Sequence, residues 1–141
     1  MRKTTEKVGN KRVLSGVPDG LPPLLKAYRM QDKARGVGFD WEKKEDVWAK
    51  VREEISEIEV EMNKGDKANM EKEFGDLFFS LVNAARLYGI NPDNALEMTN
   101  AKFRNRFGYV EEHTIKKGRN LKGMSLDEMD SLWNEAKKQG L

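Results

Sequence analysis

Between Lys50 and Asn83 the chain reads KVREEISEIEVEMNKGDKANMEKEFGDLFFSLVN, two stretches of helical periodicity on either side of a Lys64-Gly65-Asp66 turn. So short a turn ties two helices together, and side chains from both can be aimed at a shared point. Each residue rotates a helix by about 100°, so positions three or four apart share a face. Glu54, Glu57 and Glu61 therefore form one acidic stripe, with Glu53 beside it, and Glu73 and Asp76 form another. Next to the first stripe runs an apolar one of Val47, Val51, Ile55, Ile58 and Met62, which puts the carboxylates at the edge of the buried face.

In the second stretch Asp76 stands among Phe74, Leu77, Phe78, Phe79, Leu81 and Val82. A helix apolar nearly all round is expected at the centre of a fold. A carboxylate there is costly unless it is paired or coordinates a metal. Gly75 beside it weakens a helix interior, which makes sense where another helix or a ligand approaches closely. Glu-rich helices most often present solvated faces, and Glu53 and Glu61 fit that reading as well as any other. Glu54, Glu57, Glu73 and Asp76 taken together read as a site.

The remaining chain extends the helical pattern. Pro22 and Pro23 suit a first turn, and a helix is expected from there to about Arg35. Gly36-Val37-Gly38-Phe39-Asp40-Trp41 is a loop; it lacks P-loop spacing, and Phe39 and Trp41 read as core plugs or, less readily, as a base-stacking wall. Helices follow over about Lys43–Asn63 and Lys67–Tyr88, the latter stopped by Gly89. Asn91 and Pro92 open a fourth helix that reaches at least Phe107. After a loop over Lys117–Gly123, Ser125-x-x-Glu128 is a capping box that opens a fifth helix carrying Met129, Leu132 and Trp133. The expected fold is an all-α bundle of about five helices. At 141 residues it forms one domain over 21–141, preceded by a basic tail or linker remnant over 1–20.

Composition narrows the chemistry. The chain has no cysteine and a single histidine, His113, so thiolate sites and multi-imidazole sites are excluded, and a cytoplasmic setting is expected. Carboxylates without Cys or His are a hard ligand set suited to Mg²⁺, with Mn²⁺ as a substitute. Such an ion commonly meets a phosphate-bearing substrate, whose remaining negative charge calls for Lys or Arg. Lys50, on the acidic stripe, and Lys102, Arg106 and Lys137 on the later helices are the cations in helical register with site-like positions. A net charge of only +2 argues against bulk nucleic-acid binding, and no apolar run approaches the roughly 18 residues of a membrane span.

Glu53-Glu54-x-x-Glu57 followed by Glu73-x-x-Asp76 within EFGDLFF resembles the signature of the MazG nucleoside triphosphate pyrophosphohydrolases. The likeness runs from about Val13 onward, through SGVPDGLPPLLKAYRMQDKARGVGFDW, NAARLYGINPDNAL, NAKFRNRF and the Ser125–Lys137 segment. It is most similar to the C-terminal domain of that family, whose longer members carry two such domains. The resemblance implies a homodimeric all-α fold and Mg²⁺-dependent hydrolysis of a nucleoside triphosphate (NTP) to a monophosphate and pyrophosphate, by water attack at the α-phosphorus. It assigns Glu54, Glu57, Glu73 and Asp76 to metal binding, with Glu53 as a ligand or water-orienting residue. Lys102, Arg106, Trp133 and Lys137 match nucleotide-contacting positions, and Lys50 reaches a phosphate. No residue set in the sequence reads as base-discriminating. The competing expectation is a non-catalytic dimerisation or regulatory module that retains the fold.

Overall fold

The computed structural model describes residues 12–141 and has five α-helices: α1 Pro23–Arg35, α2 Val47–Lys64, α3 Lys67–Leu87, α4 Pro92–Glu112 and α5 Leu126–Lys138. No strand occurs among the described residues, as the periodicity predicts. Of the expected tail, residues 1–11 lie outside the described residues. Within the remainder, Val13–Gly16 forms a 3₁₀ turn and Val17 is buried. No helix of the described residues is long and apolar enough to cross a membrane.

The chain divides into two compact units, one ending at Asp93 and one running Asn94–Leu141. In the first, α2 and α3 form a helical hairpin. Gly65 terminates α2 in the left-handed conformation at φ 72°, and its N–H donates to the Glu61 carbonyl at 3.0 Å. Gly carries no Cβ, so it adopts this conformation without the strain that other residues meet there. Asp66 then caps α3 by accepting from the Asn69 N–H at 3.2 Å. With the turn this tight, residues equidistant from Gly65 come opposite each other. Glu57 and Glu73 each lie eight positions from it. α1 packs against α3, tied by Gln31 Nε2 donating to the Phe79 carbonyl at 3.0 Å.

Helix α2 starts later than expected, because Lys44–Asp46 forms a 3₁₀ turn and only Val47 onward is α-helical. Its buried face also differs from the predicted stripe. Val47, Val51, Glu54 and Ile58 are buried, whereas Ile55 and Met62 are exposed. Glu54 therefore lies inside the packed face and not at its edge. Helix α3 is not central in the way its composition suggested: Ser80, Val82, Ala84 and Arg86 are buried, and Phe74, Phe78, Phe79 and Leu81 are exposed. The neighbours in its own unit are α1 and α2, and two helices cannot wrap a third. Gly75 likewise has nothing among the described residues within 4 Å of where a Cβ would stand, so no close approach by them explains it.

The second unit contains most of α4, and α5. The capping box is present: Ser125 Oγ accepts from the Glu128 N–H at 3.1 Å, and Glu128 accepts from the Ser125 N–H at 3.5 Å. Arg119 pairs with the same Glu128 at 2.8 Å and helps hold its carboxyl below the usual carboxylate range. Thr114, fully buried, donates its hydroxyl to the Val110 carbonyl at 2.7 Å.

Candidate metal and nucleotide site

Three of the predicted acids converge. Glu54, Glu57 and Glu73 each offer a carboxylate oxygen, and these oxygens lie within 4.8 Å of one another. The hairpin explains this, since Glu54 and Glu57 share a face of α2 and Glu73 comes from α3 opposite Glu57. Like charges this close oppose ionisation. Glu73 is pushed up to about 7, first by burial, then by hydrogen bonding to Glu57 and the negative charges of Glu57, Asp76 and Glu54.

The cluster is also short of partners. Glu54 Oε2 and Glu73 Oε2 are buried with no hydrogen-bond partner, and so is Oε2 of Glu61, one helical turn beyond Glu57. A buried, unpartnered carboxylate oxygen costs free energy that a cation would recover. The set is all oxygen, drawn from acidic residues, which matches a hard divalent ion. By donor chemistry and by its unmet oxygens, the cluster fits Mg²⁺.

The other sequence-predicted residues fall differently. Asp76 is exposed and outside the three-carboxylate cluster, so the expectation of a charge buried among aromatics is corrected. The aromatic residues around it in sequence are themselves exposed, and its negative charge is among those that raise Glu73. Glu53 is exposed and lies 3.5 Å from Lys50 Nζ. Lys50 Nζ is 3.0 Å from Glu54 Oε1, so it neutralises the most buried acid, and that hydrogen bond raises its own pKa.

The second unit holds the remaining candidates. Lys102 and Lys137 are exposed. The Arg106 guanidinium lies 5.7 Å from the Trp133 ring, and its Nε donates to the Leu141 carbonyl at 2.8 Å. Phe103 packs against Trp133 with ring centroids 5.2 Å apart. Arg106 and Trp133 thus form one aromatic-cationic cluster.

A feature the sequence did not disclose is the ion pair between Arg86 and Asp40. Arg86 Nη2 donates to Asp40 Oδ1 at 2.6 Å and to Asn83 Oδ1 at 2.7 Å. The Arg86 guanidinium holds the Asp40 carboxyl below its ordinary value. Arg86 sits 46 residues from Asp40 in the chain, and no local periodicity reveals such a pair. Phe39, expected as a core plug, is 81% exposed, and Trp41 is half-buried. The Asp40–Arg86 pair anchors their loop at the residue between them, which spares Phe39 from having to pack.

An all-α hairpin on which three carboxylates converge defines a class of protein with a ligand set that could hold a divalent cation between two helices. Residues 42–110 match the family model of the MazG nucleotide pyrophosphohydrolase domain. The chain is 38% identical over 128 residues to a protein named nucleoside triphosphate pyrophosphohydrolase from Escherichia coli (strain K12), covering 89% of this chain and 49% of that one. It is 38% identical over 117 residues to the nucleoside triphosphate pyrophosphohydrolase/pyrophosphatase MazG of Thermotoga maritima, covering 83% of this chain and 45% of that one. A Bacillus subtilis (strain 168) protein, named uncharacterized protein YabN, is 57% identical over 70 residues, which are 50% of this chain and 14% of that one. The chain is thus similar to the MazG family over residues 42–110 and to two pyrophosphohydrolases over most of its own length. It spans about half the length of the first two of these curated relatives, at 49% and 45%.

Proposed function

We propose that this chain hydrolyses nucleoside triphosphates to the monophosphate and pyrophosphate. The observation that carries the reading is the convergence of Glu54, Glu57 and Glu73 oxygens within 4.8 Å, two of these residues keeping a buried oxygen without a partner. The likeness to the MazG family supports the same reaction, since two relatives bear that activity in their names.

In this reading Glu54, Glu57 and Glu73 hold Mg²⁺, or Mn²⁺ in its place, and exposed Asp76 completes the set from one turn along α3. When bound, the ion would polarise the phosphate oxygens and offset the charge of the leaving pyrophosphate. Glu73 gives up its proton on loading, so the cluster takes up the cation more readily as pH rises. Glu53, beside the cluster, orients the attacking water. Lys50 balances Glu54 and reaches a phosphate. Lys102, Arg106, Trp133 and Lys137 contact the nucleotide. The water oxygen bonds to the α-phosphorus, the bond from that phosphorus to the α–β bridging oxygen breaks, and pyrophosphate leaves. The chain works as a homodimer, a reading supported by the exposed Phe74, Phe78 and Leu81 on α3.

The test is product analysis with four ribonucleoside triphosphates in Mg²⁺ and in EDTA, with Glu57→Gln alongside wild type. Metal-dependent monophosphate and pyrophosphate, reduced at least about a hundredfold in the variant (~3 kcal/mol of transition-state stabilisation), is the expected result. Diphosphate and phosphate would mean that a different bond is cut. No turnover from folded protein that still binds the cation would favour a non-catalytic helical module.

A further inference from the structure

Helix α5 ends in a Schellman turn. Gly140 takes the left-handed conformation at φ 84°, and its N–H donates to the Lys137 carbonyl at 3.1 Å. The Leu141 N–H donates to the Ala136 carbonyl at 3.1 Å, so the last carbonyls of the helix are satisfied. The turn brings the Leu141 carbonyl to α4, where Arg106 Nε donates to it at 2.8 Å. Tyr109 ties the same end of α5 to α4 a second time. Its hydroxyl donates to Glu135 Oε2 and accepts from Gln139 Nε2, both at 3.1 Å.

The Arg106 guanidinium is planar, with five N–H donors in a fixed fork. Its Nε is committed to Leu141, and its carbon lies 5.7 Å from the Trp133 ring centroid. Nη1 and Nη2 make no hydrogen bond or ion pair among the described residues. A long side chain fixed at two points thus keeps the far edge of its fork free. Two parallel N–H groups on such an edge match two oxygens of one phosphate.

We infer that the Leu141 carbonyl, set by the Gly140 turn, is a positioning group that preorganises Arg106 to receive a phosphate of the nucleotide. An unrestrained arginine gives up rotamer freedom when it closes on an anion. Here the Nε bond and the Trp133 ring fix those rotamers before the ligand arrives. Lysine cannot be held in this way, because its ammonium is a single point of charge without a second edge, so the device requires arginine. The inference rests on the reading of Arg106 as a nucleotide contact.

The experiment measures KM and kcat for ATP, by pyrophosphate release, in wild type, Gly140→Val and Gly140→Asn. Valine, branched at Cβ, resists a left-handed φ, whereas asparagine tolerates it. Nothing among the described residues lies within 4 Å of a Cβ at Gly140, so strain and not a clash separates the two variants. Gly140→Val should raise KM about three- to tenfold, the scale of ordering one long side chain, and leave kcat within about twofold. Gly140→Asn should keep both values. In an Arg106→Lys background Gly140→Val should raise KM no further, because the group that it misplaces is already gone. An unchanged KM in Gly140→Val, an equal rise in Gly140→Asn, or a rise of the same size in Arg106→Lys overturns the inference while leaving the hydrolysis reading intact.

Calorimetric titration with inorganic tripolyphosphate is the second arm and needs no turnover. It decides the matter where no triphosphate is hydrolysed, which would sink the hydrolysis reading alone. Affinity weaker by about threefold or more in Gly140→Val than in wild type and Gly140→Asn upholds the positioning role. Equal affinity, or no binding by wild type, overturns it. Where Gly140→Val does not fold, a chain ending at Gln139 takes its place in both assays with the same expected outcomes.

Discussion

Replacing Asp40 with alanine is the perturbation whose size follows most directly from the structure. The Arg86 side chain is only 5% exposed, and that of Asp40 is 18% exposed. The pair is bidentate, with Arg86 Nη2 to Oδ1 at 2.6 Å and Nη1 to Oδ2 at 3.3 Å. Without Asp40, a buried guanidinium keeps only the Asn83 oxygen. Breaking a buried pair from one side costs about 3–5 kcal/mol. Water reaches the partly open Asp40 position, which places the loss at the lower end, about 3 kcal/mol. For a chain of this length that corresponds to a fall in Tm on the order of 10 °C. Because Arg86 holds Asp40 below its ordinary value of 3.8, the pair's contribution is present above that value and is lost as pH falls through the lower folded-state pKa. Urea unfolding at pH 7, followed by helical circular dichroism, measures the loss. The double variant Asp40→Leu/Arg86→Met removes both charges and should return to within about 1 kcal/mol of wild type. A single-variant loss under about 1 kcal/mol, or a double variant no better than the single, would refute the account of a buried pair.

Two further outcomes test other parts of the molecule. In metal-free protein, the raised Glu73 pKa favours the folded state while that group is protonated, so stability should decline as pH rises from about 4.5 toward about 7. Thermal scans across this range should show the decline in wild type and a flatter profile in Glu73→Gln, with Mg²⁺ raising the wild-type Tm more at pH 8 than at pH 6. A decline of the same size in the variant would place the titration elsewhere. Ser125→Ala removes the oxygen that accepts from the Glu128 N–H at 3.1 Å and should cost about 1 kcal/mol in thermal unfolding. A loss near zero would mean that the Arg119–Glu128 pair holds the start of α5 without the cap.

Much was legible in the sequence because it is local. Helical periodicity, the Gly65 turn, the Gly89 stop and the Ser125 capping box each depend on residues a few positions apart, and all four recur in the structure. The three converging glutamates were legible for the same reason. Two share a helix face, and the third is brought opposite by a turn that the sequence itself contains.

What the sequence left undecided depends on which faces meet. Periodicity grouped Ile55 and Met62 with the core and left Glu54 at its edge, but packing of α2 on α3 buried Glu54 and exposed the other two. It read Asp76 as buried because its neighbours in sequence are aromatic, yet Phe74, Phe78 and Phe79 are exposed and so is Asp76. The Asp40–Arg86 pair and the Gln31–Phe79 bond join residues from α1, the following loop and α3, so no spacing rule along one helix could reveal them. Local hydrogen bonding and helical geometry act over a single turn and can be read from order alone. The burial of a charge and the company an amide keeps are set by contacts between elements, and these exist only once the chain has folded.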